Sequence, residues 1–428
     1  MKGNRLSQSN GDSNVQSIRK VTNSSSGKIN SAIVKALKSL PIPINLDCAA
    51  FVIENDLLNT LKSPRWLSTD NSLAKSSTLS AAGCYTKEAK NALSLHPIYT
   101  CLKAIPYAQT NQKGYLLTRF FPHKIAKPIL LQESVVKFVK AICFNYPSCE
   151  PKGSFSSSDR AMMEDLKLSG IRIYWQDPVS QNLLEYMGQN EQSSGIFMPA
   201  NRSRQIKEFT TVGVYGSNLQ SRNIKSILYE LLRGLIQMQS LCNHSLLNLQ
   251  REIRLVTGGG PGVMAIANEV AKNLGLLSCA HIVDFINPQH RVVNEQTQNN
   301  FIDAKITYPL KELIHRQGNF QLDLPIFFAG GIGTDFEYSI EEVGRKTGAL
   351  AITPVLLIGE TSYWKRKITH RFRLNMETGS ISGSEWVSNC FFCVQNAEQA
   401  LSVYNDFFHH KLQIGLEGPI FSDGFRVL

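Results

Sequence analysis

The stretch IRLVTGGGPGVM, residues 253–264, decides the fold. Its β-prone run Ile253–Thr257 enters Gly258, Gly259, Gly260 and Gly262 around Pro261, and an apolar helical pattern starts at Val263. Glycine admits positive φ and lets backbone amides approach an anion, and the helix N-terminus behind it offers unpaired N–H groups and a favourable dipole. Strand, glycine cluster and helix in that order predict a phosphate cradle, with Met264 on the first helical turn. A second such turn is FFAGGIGTDFE, residues 327–337, where Gly330, Gly331 and Gly333 separate strand from helix and Thr334 can cap or donate to a phosphate. A third, Gly216, Ser217 and Asn218, closes an earlier strand and reads equally as a ligand turn or a plain one.

Working outward, short β-rich runs alternate with amphipathic helices from Phe209 onward, the pattern of a parallel sheet covered on both faces. Strands are expected at Thr210–Tyr215, Ile253–Thr257, Ser278–Phe285, Pro325–Ala329, Pro354–Ile358 and Phe391–Val394. Helices are expected at Ser221–Gln239, Val263–Leu274, Leu310–Phe320, Phe336–Thr347 and Ala397–Phe408. The expected class is α/β: a Rossmann-like doubly wound parallel sheet over 206–410, with a smaller mixed α/β domain over 29–205. A linker at Pro199–Lys207 separates them, and 411–428 is a C-terminal extension. In open sheets of this kind ligands bind beyond the carboxyl ends of the strands, so glycine turns at that edge would face one crevice.

The chain has 428 residues, enough for about two domains. Residues 1–28, rich in Ser, Asn, Gly and Lys, are expected to form a disordered tail. Prolines at 41, 43 and 64 keep any helices from Ile29 to Leu61 brief. Ser134–Phe144 has helical periodicity, Ser157–Leu168 opens with capping serines, Gly170–Trp175 reads as a strand and Ser180–Met187 as a helix. The net charge of +11 lies entirely in 1–208, which holds 26 basic and 15 acidic residues against 19 of each after it. This excess is either a solvated basic surface or a contact for an acidic partner such as nucleic acid. Nine irregularly spaced cysteines do not form a disulfide framework, so a reducing cytoplasm is expected. No apolar run is long enough for a membrane span.

Among titratable residues, Glu337 falls in the first turn of the helix after the second glycine turn, where its carboxylate either faces the crevice or simply favours the helix dipole. Glu341 shares its face one turn on, whereas Glu342 is angled away. His315 and Arg316 lie on the helix before the second glycine strand, where an arginine can grip a phosphate with two N–H groups.

GGGPGVM followed by AGGIGTDFE resembles the LONELY GUY phosphoribohydrolase family, historically labelled lysine-decarboxylase-like, whose hallmarks are GGGxxGLM and PGGxGTxxE. The resemblance covers roughly 209–405 and extends to Gly216 and Ser217, and to Asn294 and Glu295 within NPQHRVVNE, a segment similar to one in longer bacterial nucleotide nucleosidases. Those relatives carry an extra N-terminal domain. The resemblance implies hydrolysis of nucleoside 5′-monophosphates to free base and ribose 5-phosphate, without metal or organic cofactor, in a homodimer or larger assembly. It makes Glu337 the catalytic carboxylate and Arg316 the candidate catalytic arginine. Ala329 stands where the motif has its leading Pro, a change in loop stiffness rather than chemistry. The family also places an aromatic near the crevice at the Tyr363–Trp364 position, although Lys365, Arg366 and Lys367 beside it read equally as a solvated basic loop.

Other readings stand beside this one. Asp284 ends a strand about 20 residues beyond Gly262, where a dinucleotide-binding dehydrogenase puts its ribose-binding acid, but GGGPG is not GxGxxG. A non-catalytic Rossmann-like binder of nucleotide, molybdenum cofactor or single-stranded DNA is the other alternative. Cys390 and Cys393, a single CxxC in a strand, read as core cysteines and not as a metal site.

Overall fold

A computed structural model describes Ala50–Val52, Gly114–Leu117 and most residues from Phe121 to Leu428; 285–296 and several shorter stretches, 218–222 among them, lie outside the description. The expected tail over 1–28, nearly all of 29–61, Asn218, Asn294 and Glu295 therefore fall outside the described residues. The chain divides into two compact units, Met1–Tyr186 and Met187–Leu428.

The first unit carries β1 (Ala50–Val52), β2 (Gly114–Leu117), the four-residue helices α1 (Lys127–Leu130) and α2 (Glu133–Val136), β3 (Val139–Phe144), α3 (Ser157–Leu168), β4 (Arg172–Gln176) and β5 (Leu183–Tyr186). Its strands are ordered β1-β2-β3-β4-β5, with the inner pairs parallel and the outer pairs antiparallel. α3 is helical as expected, its start fixed by a capping box in which the Ser156 hydroxyl accepts from the Asp159 amide and the Asp159 carboxylate accepts from the Ser156 amide. Two expectations are corrected. Ser134–Phe144 is a short helix followed by strand β3: five of the six strand residues are buried, and a run covered on both faces carries no strand alternation. Ser180–Met187 contains strand β5 and no helix, paired antiparallel to β4.

The second unit opens with the two-residue strands β6 (Gln189–Asn190) and β7 (Ser193–Ser194), then β8 (Phe197–Pro199). The α/β alternation follows: β9 (Glu208–Tyr215), α4 (Ile224–Gln239), β10 (Arg251–Thr257), α5 (Val263–Asn273), β11 (Leu277–Asp284), β12 (Ala304–Pro309), α6 (Leu313–Gly318), β13 (Leu324–Phe327) and α7 (Ile332–Thr347). It ends with β14 (Val355–Ile358), α8 (Thr361–Trp364), a π-helical stretch Lys365–Thr369, α9 (His370–Glu377), β15 (Phe391–Val394), α10 (Ala397–Phe408) and β16 (Arg426–Val427). The sheet is mostly parallel, in the order β8-β12-β11-β10-β9-β13-β14-β15-β16, with only β8 antiparallel to its neighbour.

The chain lays strands outward from β9 in one direction through β12, then returns to start again at β13 on the other side of β9. Connections on the two sides of such a reversal leave over opposite faces and open a crevice beyond the strand carboxyl ends. Side-chain alternation splits the core accordingly. Val212, Val214, Leu255, Ile326, Leu356 and Phe392 pack under α4, α5 and α10, while Tyr215, Val256, Phe327, Leu357 and Phe391 pack with Tyr338 of α7 and Trp364 of α8. The unit is thus an α/β layered domain with helices on both faces.

Of the expected elements here, β15 and α10 agree to the residue and the other strands to within two or three. β12 was not anticipated: all six of its residues are buried, Lys305 and Thr307 included, so it shows neither alternation nor an apolar run. α7 starts at Ile332 and not Phe336, so the second glycine turn is itself the helix start. The expected helix Leu310–Phe320 is a 3-10 turn over Leu310–Glu312 followed by the six-residue α6. Among the described residues no helix is long and apolar enough to cross a membrane.

Candidate active site

β9, β10 and β13 end side by side, and their turns are stitched together. The Ser217 amide donates to the Ala329 carbonyl at 3.2 Å, and the Ser217 carbonyl accepts from the Val263 amide at 3.0 Å. One residue of the third turn thereby fastens both glycine turns. In the first turn Gly259 and Gly262 have φ of +77° and +67°, conformations that a side chain would strain. Gly258 is required for another reason: a Cβ there would sit 2.7 Å from Arg316 Nη2 and 2.9 Å from Met264 Sδ. The Asn299 amide holds the turn from outside, donating to the carbonyls of Gly259 and Gly260 at 3.2 and 3.0 Å and to Asn268 Oδ1 at 3.0 Å.

The second turn is held differently. Tyr363 OH accepts from the Gly330 amide and donates to the Gly330 carbonyl, each at 3.0 Å, and Lys367 Nζ donates to the same carbonyl at 2.9 Å. Where the resembling motif has a proline ring, this chain has Ala329 followed by a turn pinned from α8 and the π-helical stretch. The basic run is therefore helical and not a loop: Lys365 pairs with Asp423 at 2.8 Å and Lys367 with Asp335 at 2.5 Å, while Lys365 and Arg366 stay exposed to solvent. Behind the turn, the first amides of α7 have no helical partner and no side chain caps them.

These turns enclose a cavity of about 500 Å³, a size usual for small-molecule sites. Its lining includes Gly216 and Ser217 from the third turn, Gly258, Gly259, Gly260 and Met264 from the first, and Gly331, Gly333 and Thr334 from the second, with Arg316 and Glu337. Eleven of the sixteen candidate site residues named from the sequence meet there; Asn294 and Glu295 lie outside the described residues. Gly262 and Gly330 shape their turns without lining it. Glu341 is corrected to a structural role: at 2% exposure it is ion-paired with Arg345 at 2.5 Å and accepts from Tyr215 OH at 3.1 Å. It is absent from the cavity lining, because α7 is buried in the core one turn on. His315 points away, half-exposed beside Glu312. Asp284 closes β11, its side chain outside the described residues. Cys390 and Cys393 are buried in the core as free thiols.

The charged pair at the centre is unusual in its burial. Arg316 keeps 9% of its side-chain surface exposed and Glu337 16%, with Arg316 Nη1 at 3.8 Å from Glu337 Oε1. Arg316 Nε donates to the His281 carbonyl at 3.0 Å, Nη1 donates to Gln317 Oε1 at 2.8 Å, and the guanidinium lies 4.4 Å over the Phe320 ring. Nη2 makes no hydrogen bond among the described residues. Burial pushes Glu337 from 4.5 up to about 7; Arg316 pulls it down and Glu341 pushes it further up. Burial lowers Arg316 in turn, against the attraction of Glu337. Glu337 thus carries a carboxyl group poised near neutrality in a cleft beside a fixed cation, the combination that a general base requires.

A scan against protein-family models finds no model that matches this chain, and a search of curated proteins finds no significant match. Sequence reasoning did not find Tyr215, Asn268, Asn299 or Gln317. Their only signal is an amide or hydroxyl adjoining a motif residue, as Gln317 adjoins Arg316.

Proposed function

We propose that the Met187–Leu428 unit, as a Rossmann-like doubly wound domain, hydrolyses the N-glycosidic bond of nucleoside 5′-monophosphates to free base and ribose 5-phosphate. The observation that carries this reading is the convergence of three phosphate-type turns, Arg316 and Glu337 on one cavity of about 500 Å³. The 5′-phosphate sits at the uncapped start of α7, between Ser217 and Thr334, where the first-turn amides, which lack helical partners, and the helix dipole meet its charge. Anchored there, the ribose lies across Glu337. Water adds its oxygen to C1′ as the C–N bond breaks, the bonding electron pair leaving with the base. Ionised Glu337 takes the water proton and stabilises the oxocarbenium-like charge at C1′. The unpaired Nη2 of Arg316 faces the base as negative charge grows on its departing nitrogen, and the proton passes to that nitrogen. Neither a metal ion nor an organic cofactor enters this scheme.

The same reading places a second copy of the chain over the cavity mouth. Ile332, on the cavity lining, is 89% exposed and Ile314 of the neighbouring α6 75% exposed, an apolar rim suited to a homodimer or larger assembly. Residues 29–205 form a basic accessory domain, whose excess charge is either a solvated surface or a contact for an acidic partner such as nucleic acid. The free thiols among the described cysteines suit a reducing cytoplasm.

The test is release of base and ribose 5-phosphate from a panel of purine and pyrimidine monophosphates by wild type and Glu337→Gln. Release that the substitution abolishes, with nucleotide binding retained, supports the enzyme. Binding without release from any of them overturns it in favour of a carrier.

A further inference from the structure

A buried hydrogen-bonded chain runs from the cavity to an ion pair in the core. Arg316 Nη1 donates to Gln317 Oε1 at 2.8 Å, Gln317 Nε2 donates to Tyr215 OH at 3.3 Å, and Tyr215 OH donates to Glu341 Oε1 at 3.1 Å. Arg345 closes it, donating to Glu341 at 2.5 Å and to the carbonyl and hydroxyl of Thr353 at 3.3 and 3.1 Å. Chemistry fixes the direction of every bond: guanidinium only donates, carboxylate only accepts, so Gln317 must present its oxygen to Arg316 and its amide to Tyr215. Gln317 at 2%, Tyr215 at 2%, Glu341 at 2% and Arg345 at 2% exposure leave no water to substitute for a lost partner.

The arrangement has a geometric result. Nε and Nη1 of Arg316 are held by the His281 carbonyl and Gln317, and Phe320 covers one guanidinium face. The group cannot rotate about its Cζ–Nε bond without breaking one of these contacts, and Nη2, the one guanidinium nitrogen without a hydrogen bond among the described residues, lies where a Cβ on Gly258 would come within 2.7 Å of it, at the cavity wall. The geometry points to Gln317 and Tyr215 as positioning residues, which lock the guanidinium of Arg316 with Nη2 aimed at the ligand, using the Glu341–Arg345 pair as a rigid anchor. Gln317 does not line the cavity; Tyr215 does, but its hydroxyl is engaged by Gln317 and Glu341, and through that hydroxyl it acts on Arg316. Such preorganisation raises affinity and rate by removing the ordering cost at binding.

This proposal rests on the cavity reading above for its kinetic consequence, so its first test does not use turnover. Full-length protein labelled with ¹⁵N-arginine is compared with Gln317→Met and Tyr215→Phe, both close in volume to the native side chains. Expected is a pair of resolved Nη signals for Arg316 in wild type, merged by rotation in Gln317→Met and broadened in Tyr215→Phe. Affinity for ribose 5-phosphate by calorimetry is expected to fall about tenfold in Gln317→Met, with the unfolding midpoint of the protein moved little. Where base release is measurable, the loss falls on kcat more than on KM. Nη signals that stay resolved in both variants, or ribose 5-phosphate affinity within twofold of wild type, overturn the assignment. Absence of base release from wild type sinks the hydrolase reading alone, because the arginine signals report positioning without it.

Discussion

Glu337→Gln separates two effects, loss of a reactive carboxylate and relief of a buried charge, and the second has a calculable size. In the folded protein burial raises this group from 4.5 to about 7. Each pKa unit is worth about 1.4 kcal/mol, so holding Glu337 ionised costs the fold about 3 kcal/mol. The side chain keeps only 16% exposure, so solvent screens little of this cost. For a raised acid the folded state binds more protons than the unfolded one between the two values. Stability therefore falls as pH rises from 4.5 to about 7, and the full penalty is present above that. Glutamine mimics the protonated form at every pH and escapes this slope. Any cost of leaving Arg316 without a negative partner is the same at all pH values and cancels in the comparison. Urea unfolding of both proteins from pH 4 to pH 8 should show the stability difference moving by about 3 kcal/mol in favour of the variant. A difference that stays constant with pH would mean that Glu337 ionises as an ordinary surface acid, and the electrostatic account of the site would be wrong.

Base release should rise with pH through about 7 as Glu337 ionises, and Glu337→Gln should lower it by on the order of a hundredfold to ten-thousandfold; a rate falling over that range would instead assign the carboxyl as an acid. Gly258→Ala puts a methyl group 2.7 Å from Arg316 Nη2 and should cut ribose 5-phosphate affinity about tenfold in calorimetry while leaving circular dichroism unchanged. Arg345→Met strands the Glu341 carboxylate in the core and should cost about 3–5 kcal/mol in urea unfolding. Tyr363→Phe removes both hydrogen bonds to Gly330 and should raise KM for the monophosphate several-fold with kcat changed less.

The glycine turns were legible because glycine answers a local demand, positive φ at Gly259 and Gly262 or the absence of a Cβ at Gly258, that no other residue meets. The strand–turn–helix context then placed them at one edge, and Arg316 and Glu337 came with them. What escaped was set by tertiary contact. β12 pairs with β11 along all six residues and its buried Lys305 is satisfied by Gln298 at 3.0 Å, and β3 buries five of its six residues, neither of which leaves a periodic trace. Glu341 illustrates the same limit within the site. Helical spacing put it on the face of Glu337, but only the packing of Tyr215 and Arg345 shows that this face enters the core one turn later.

The order in which the strands are laid down bears on how the site comes to exist during synthesis. β9 is the first of the second unit's parallel strands to be made yet ends in the middle of the sheet, and the partner for its second edge is far off: the Thr211 amide meets the Asp323 carboxylate across 112 residues. Until β13 leaves the ribosome, β9 presents an apolar strand with one open row of backbone groups, the feature that templates aggregation. Closing that edge and completing the ligand crevice are the same event, because Ser217 is fastened to Ala329 only when β13 docks. A ligand for the finished site would therefore hold β13 docked and keep that edge closed.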